Sequence, residues 1–475
     1  MLRGTIRRML SRARQRAFVA GESGASTAFA LSLILGGFTL GGLALDLAYA
    51  YKSREELQIA ADAAAHAALY NRQTNSADAA KTMAVAVANG TLPVSSYGNV
   101  LTPADIRFGS WDFASQTFTP DPNATDAVWV STKRFGANGN SVRTFLLNFV
   151  GVSDLDVRAD AVFVTHYPTC LSQGFAAADR VDMQSNNNFY SGFCVHSNEL
   201  VSMKQNNTFD VGVIISMPDS KDVEAGSGND GVKEALRDHS YTLRILDRLD
   251  EIWNGLITGT AFVPSYITNA TPISLNADLI AGVLGNDPNT NPAPTTSFAT
   301  TSAYTIDSTV DTTYTDGSED SATLATGGIY LVSCDDGSLT IGAGVLVKDV
   351  VILTTCAIKF QAGSAVENAL VMTRSTSTNS VTATSGFRLG LNDNCAPGGG
   401  AQIITYGGFR VPASFEIYGG QVIARGDIQF AAQTGAQGAS FISGGTIDGT
   451  SQSDFLFCKT GMELNFEMPY FRLGG

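Results

Sequence analysis

From Ser23 to Leu45 the chain runs 23 residues without a charged side chain, bounded by Glu22 and Asp46. As an α-helix that run is about 35 Å long, enough to cross the hydrocarbon of a bilayer. Six arginines precede it, at positions 3, 7, 8, 12, 14 and 16. An arginine excess on this flank predicts a cytoplasmic N-terminus. A nucleic-acid arm is the other use of such a start, but the apolar run behind it favours a topology signal. A cleaved signal peptide is the rival for the run itself, because Ala48-Tyr49-Ala50 has the form of a cleavage site. Against cleavage, the stretch exceeds a signal core and Asp46 intrudes before the site. Helical composition also continues through Lys52–Gln58 and the alanine-rich Ala60–Ala68. One helix from about Gly24 to Tyr70, retained as an anchor, is expected. Within it Gly37 and Gly41 form a GxxxG, read either as a helix-packing face or as ordinary membrane-helix glycines.

The arginines conceal how acidic the rest is. The whole chain carries −14, and with those six charges set aside the remainder carries −20, which disfavours nucleic acid as a partner, and none is expected. Six cysteines, Cys170, Cys194, Cys334, Cys356, Cys395 and Cys458, all follow the apolar run. None forms a C-x-x-C pair and no histidine is grouped with them, so a zinc site is not expected. An even number placed beyond the membrane reads as disulfides of an oxidising compartment, the alternative being buried free thiols. Sequence separations of one coil suggest Cys170–Cys194 and Cys334–Cys356, with Cys395–Cys458 by elimination among 15 possible pairings.

The segment from Gly21 to Leu69 resembles the N-terminal part of TadG-like (TadE/TadG-like) proteins of the Flp, or tight-adherence, pilus. The residues that carry the likeness are Leu45-Asp46, then Tyr51 to Arg54, then Leu57-Gln58 and Ala60-Ala61-Asp62-Ala63-Ala64. It continues more loosely through residues 103–165, where strand, strand, short helix and strand are expected, and through 169–216. Pilins of that system are cut after a glycine and carry Glu at the fifth mature position. Here that position holds Ser26 or Phe29, counted from Gly21 or Gly24, a departure from the pattern that leaves prepilin-type processing open. The resemblance implies pilus biogenesis, with pilus subunits and assembly machinery as partners through the membrane helix.

Beyond the anchor the chain repeats itself. Residues 181–195 align with 201–215 at an offset of 20, sharing Val, Met, Asn-Asn, Phe and Gly. Residues 339–354 align with 358–373 at an offset of 19. Short alternating runs at that period predict a parallel β-solenoid, with Asn206 and Asn207 stacked under Asn186 and Asn187, and Ile341 over Phe360. A β-sandwich is the rival. Between the blocks, residues 232–256 look helical and 286–326 look like a polar loop. The expected fold is therefore α+β and mainly β. Its parts are a basic segment 1–22, an anchor helix 23–70, an α+β module 71–165 and a solenoid-like domain 166–475 with an insertion at 217–325.

Chemistry is sparse in this pattern. Solenoid lyases and hydrolases cluster acids and bases on one face, whereas Asp335, Asp336 and Asp393 are scattered among Lys348 and Arg388. Asp336-Gly-Ser338-Leu-Thr340 only partly matches a metal-dependent adhesion motif, and Asp311, Asp316, Glu319 and Asp320 read as hydrated loop acids. No catalytic residue, cofactor or metal is expected. Three functions compete: a minor pilus component or adhesin facing surface glycans, an inner-membrane assembly factor, and a carbohydrate-active enzyme.

Overall fold

The computed structural model describes residues 24–275, 304–308, 321–324, 326–332, 338–449 and 451–474. The arginine-rich start lies outside them, as do most of 286–326 and Cys334. The chain divides into two compact units, Tyr167–Met468 and a first unit that ends at His166 and takes back Pro469–Gly475.

The first unit is built on one helix, α1, Gly24–Arg72, of 49 residues. It holds no proline, and alanine, the best helix former, dominates its second half. Leu57, Ala60, Ala61, Ala64, Ala65, Ala68 and Leu69 are buried on one face. A second helix, α2, Ala77–Thr91, is started by Ser76, whose side chain accepts the Ala79 N–H. It buries Ala80, Ala84 and Ala88. Alanine-on-alanine packing lets the two helices approach closely over a sheet.

That sheet contains β1, Ile106–Asp112, β2, Thr117–Pro120, β3, Ala127–Arg134, and β6, Val157–His166. Between β3 and β6 a small hairpin pairs β4, Val142–Arg143, with β5, Asp154–Leu155. The order is β2-β1-β3-β6, and a last strand, Tyr470–Leu473, joins β6 at the edge. All four pairings are antiparallel. Alternation sends Ile106, Phe108, Val128, Val130, Ala159 and Ala161 toward the helices. Each Val or Ile so buried contributes about 1.5–3 kcal/mol. Thr132, fully buried, gives its hydroxyl to the Leu57 carbonyl at 2.9 Å.

The second unit is a parallel β-solenoid whose strands form, among the described residues, one sheet of eleven and another of seventeen. The register repeats every 20 residues across Phe175, Val195 and Ile215, and every 19 across Ile403, Val422 and Phe441. Ile341 lies beside Phe360, as the repeat predicts. Stacking aligns like with like. Phe189 is stacked 4.9 Å from Phe209 with the rings nearly parallel, and lies 5.0 Å from Phe455. Asn186 and Asn206 both take left-handed backbone, with φ of 64° and 58°, a conformation asparagine tolerates better than most residues. Beside them runs a ladder of side-chain amides. Asn229 accepts the Asn207 N–H at 2.8 Å, Asn207 accepts that of Asn187 at 2.9 Å, and Asn187 accepts that of Ser453 at 3.0 Å.

Coil order in space differs from order in the chain. The strand Ser440–Ser443 pairs with Gly174–Ala177, Phe441 beside Phe175. The early coils therefore stack on the last one, and among the described residues the edge strands of the eleven-stranded sheet are Leu236–Asp238 and Asn269–Leu275. Ten strand spacings separate those edges in the sheet order, about 48 Å. The segment between them has to return along the whole stack. The single helix expected over 232–256 is accordingly broken into Val232–Ala235, Arg244–Asp247 and Leu249–Thr258, with Leu236–Asp238 serving as a strand of the sheet. In the region expected as a polar loop, Tyr304–Ser308 and Ser321–Thr323 are strands.

Candidate functional site

Two places gather side chains into more than generic packing. The first lies on α1, where the apolar stretch ends. Asp46 is nearly buried, and its carboxylate accepts three backbone N–H groups, from Phe145 at 2.8 Å, Leu146 at 3.0 Å and Leu147 at 2.6 Å. These open a turn of 3₁₀ helix, Leu147–Val150, at the tip of the β4–β5 hairpin. A charged acceptor suits the bare N–H groups at such a start. Gly42 makes room for the turn: a Cβ there would lie 3.2 Å from Leu146 and Leu147. Gly41 faces Leu146 at 3.6 Å, while around Gly36 and Gly37 there is nothing within 4 Å. The two glycines of the GxxxG thus differ, Gly41 partly covered by the chain's own loop and Gly37 open. Leu33, Leu35, Phe38 and Leu40 project outward around them.

The second place is the flank of the solenoid along which the returning segment runs. Arg374, Tyr406 and Arg425 each follow a strand end, after Ala369–Thr373, Ala401–Thr405 and Gly420–Ala424. All three converge on Asp250 of the helix Leu249–Thr258, at 3.1, 2.8 and 3.0 Å. The Tyr406 hydroxyl and the Arg425 guanidinium hold the Asp250 carboxyl below the usual carboxylate range. Burial, together with that carboxylate, pushes the Tyr406 phenol up. The Arg425 guanidinium lies 4.2 Å from the Tyr406 ring centroid. Farther along, fully buried His196 contacts the Ser216 hydroxyl through Nδ1 at 2.8 Å and the Asn198 amide oxygen through Nε2 at 3.0 Å. Tyr241 packs edge-on against it at 4.6 Å. Burial lowers the His196 pKa to about 4, helped by nearby His239. These contacts fasten the return segment, and the one hydroxyl–imidazole pair among them, Ser216 with His196, is buried.

Cys170 is bonded to Cys194, and Cys395 to Cys458, with Cα separations of 4.8 and 5.5 Å. Cys356 is buried, and its expected partner Cys334 lies outside the described residues. So do Asp335, Asp336, Asp311, Asp316, Glu319 and Asp320. Arg388 pairs with Glu367 at 2.5 Å, and Asp393 accepts the Ala396 N–H at 3.0 Å within its own turn. Among the described residues no group of three or more His, Cys, Asp or Glu side chains could hold a metal ion. The sequence marked Asp46 as a boundary but gave no sign of its three amide partners, which lie about a hundred residues away. The Asp250 cluster was equally hidden, though three polar residues directly after strand ends were a usable hint.

Among the described residues, one helix is long and apolar enough to cross a membrane, and it carries an α+β module and a parallel β-solenoid. That combination defines a class, a single-pass membrane protein with a solenoid head. Residues 24–87 match the family described as putative Flp pilus-assembly TadE/G-like, and residues 63–162 match putative Tad-like Flp pilus-assembly. Residues 174–459, more than half of the chain, match the family described as a domain of unknown function, DUF7867. The chain belongs to that family through its solenoid and is a TadG-like protein of the Flp pilus system through its first unit. The matched region begins at the solenoid's first strand, Gly174–Ala177, and ends just past Asp454–Leu456. No curated protein and no solved structure matches the chain.

Proposed function

We propose that this protein is a non-enzymatic minor component of the Flp pilus, placed at the tip or base of the filament and acting in its biogenesis and in surface attachment. The observation that carries this reading is the pairing of an open apolar helix with a large rigid head. Around Gly37 the helix surface is bare, which suits packing among other helices of a pilus or its machinery. A solenoid with sheets of eleven and seventeen described strands is too bulky to recur at every subunit of a filament of small pilins, so a terminal place fits it best. The N-terminus stays in the cytoplasm and the units after α1 lie outside the inner membrane. Two bonded cysteine pairs favour that oxidising side. Surface glycans are the candidate attachment partner, offered the long polar flanks of the coils.

Shearing and purifying pili, then probing pili and membranes for this chain, tests the reading. A small, constant amount of the chain in the sheared filaments is expected. Recovery only from membranes, with pili missing from a deletion strain, would instead make it an assembly factor that never enters the filament.

A further inference from the structure

The hairpin tip held by Asp46 has a composition unlike the other loops of the first unit. From Thr144 to Ser153 it carries no charge, and reads Phe145-Leu-Leu-Asn-Phe149-Val-Gly-Val152 at its centre. Phe145 is 76% exposed and Phe149 is 75% exposed. The tip does not point away from the anchor. It lies along it, with the Phe149 ring stacked 5.8 Å from that of Phe38. Phe38 precedes Asp46 by eight residues, about 12 Å back along the apolar helix. If α1 spans the bilayer, on which this inference rests, the tip is level with the hydrocarbon of one leaflet.

The tip's backbone is also prepared for such a place, where a bare N–H or C=O is costly. The N–H groups of Phe145, Leu146 and Leu147 go to Asp46. Those of Thr144, Phe149, Gly151 and Val152 go to carbonyls of Ser153, Leu146, Asn148 and Leu147. Charge returns only at the base, where Arg143 and Asp154 face each other across the hairpin. Uncharged rings at the tip, seven backbone N–H groups with partners inside the unit and charges at the neck are what an element dipping into a leaflet needs.

We infer that residues 144–152 form a second membrane-inserting element, whose Phe145 and Phe149 side chains occupy the acyl region of the leaflet beside α1. The occupant is phospholipid rather than a neighbouring protein, because the surface is continuous with the lipid-facing helix. The single anchor thereby becomes a two-point attachment, which fixes the tilt of the first unit against the membrane.

Photo-crosslinking in native membranes tests this. Benzoylphenylalanine is introduced into the full chain in place of Phe145, Phe149, Leu35 or Met83, in cells fed a clickable fatty acid. Each position is at least 45% exposed, so the bulkier ring is accommodated. The inference expects lipid adducts at Phe145 and Phe149 in yields matching Leu35, falling to background at Met83. Adducts at Phe149 that run as chain plus a second protein, or none while Leu35 still labels lipid, would overturn it. Loss of lipid labelling at Leu35 would overturn the anchor reading itself, a distinguishable failure.

Discussion

The Asp46 carboxylate, at the end of the apolar stretch of α1, accepts three backbone N–H groups of a loop a hundred residues on and so organises that loop. Replacing Asp46 by Asn keeps the size and removes the charge that holds three N–H groups. The expected outcome is faster amide exchange at Phe145, Leu146 and Leu147, with α1 and the sheet unaffected. His196 gives a pH-dependent prediction. Its folded pKa, about 4, lies below the value of about 6.5 expected for the unfolded chain. The unfolded chain therefore takes up the proton first. Stability from neutral His196 is complete above pH 6.5 and is lost as pH falls toward 4, at up to about 1.4 kcal/mol per unit. Denaturant unfolding of the detergent-held chain at pH 7.5 and 5.0 should show this fall, and His196→Gln should flatten it.

At the scale of elements, the long helix and the coil period were legible because each repeats a local rule many times. A charge-free run needs no partner to be recognised. The coils could be seen because stacking demands equivalent residues at equivalent places, as Asn187 and Asn207 do. Asn187→Ala removes a buried link that accepts from Ser453 and donates to the Gln184 carbonyl, and should cost about 1–3 kcal/mol by thermal or denaturant unfolding. By contrast Asp250→Asn, at a half-exposed cluster, should cost no more than about 1 kcal/mol. The glycines of α1 separate in the same way. Gly42→Leu should displace the hairpin tip, an overpacking cost of about 1–3 kcal/mol, while Gly37→Leu leaves the isolated chain unchanged. If Gly37 serves helix packing in the envelope, its substitution lowers pilus yield without lowering stability.

For the whole molecule, what the sequence could not disclose is the order of the coils. Phe441 beside Phe175 is a pairing across 266 residues, and no periodicity announces it. The same holds for Tyr470–Leu473, a four-residue run that rejoins β6 only after the entire solenoid has been built. Both are long-range closures, favourable once the other strands exist and invisible to local pattern. They imply that the solenoid unfolds as one unit: a chain ending at Gly438 should lose cooperative unfolding, because the coil beginning at Gly174 then has a bare edge. If α1 anchors the chain, everything after it is held outside the cytoplasm with its cysteines oxidised. Protease, and separately a thiol-reactive label, added to cells with the outer membrane opened and the inner membrane intact, tests this. Both units should be digested to a small fragment retaining α1, and thiols should label only after reduction. Protection of the solenoid until the inner membrane is broken, with thiols that label without reduction, would rule this topology out.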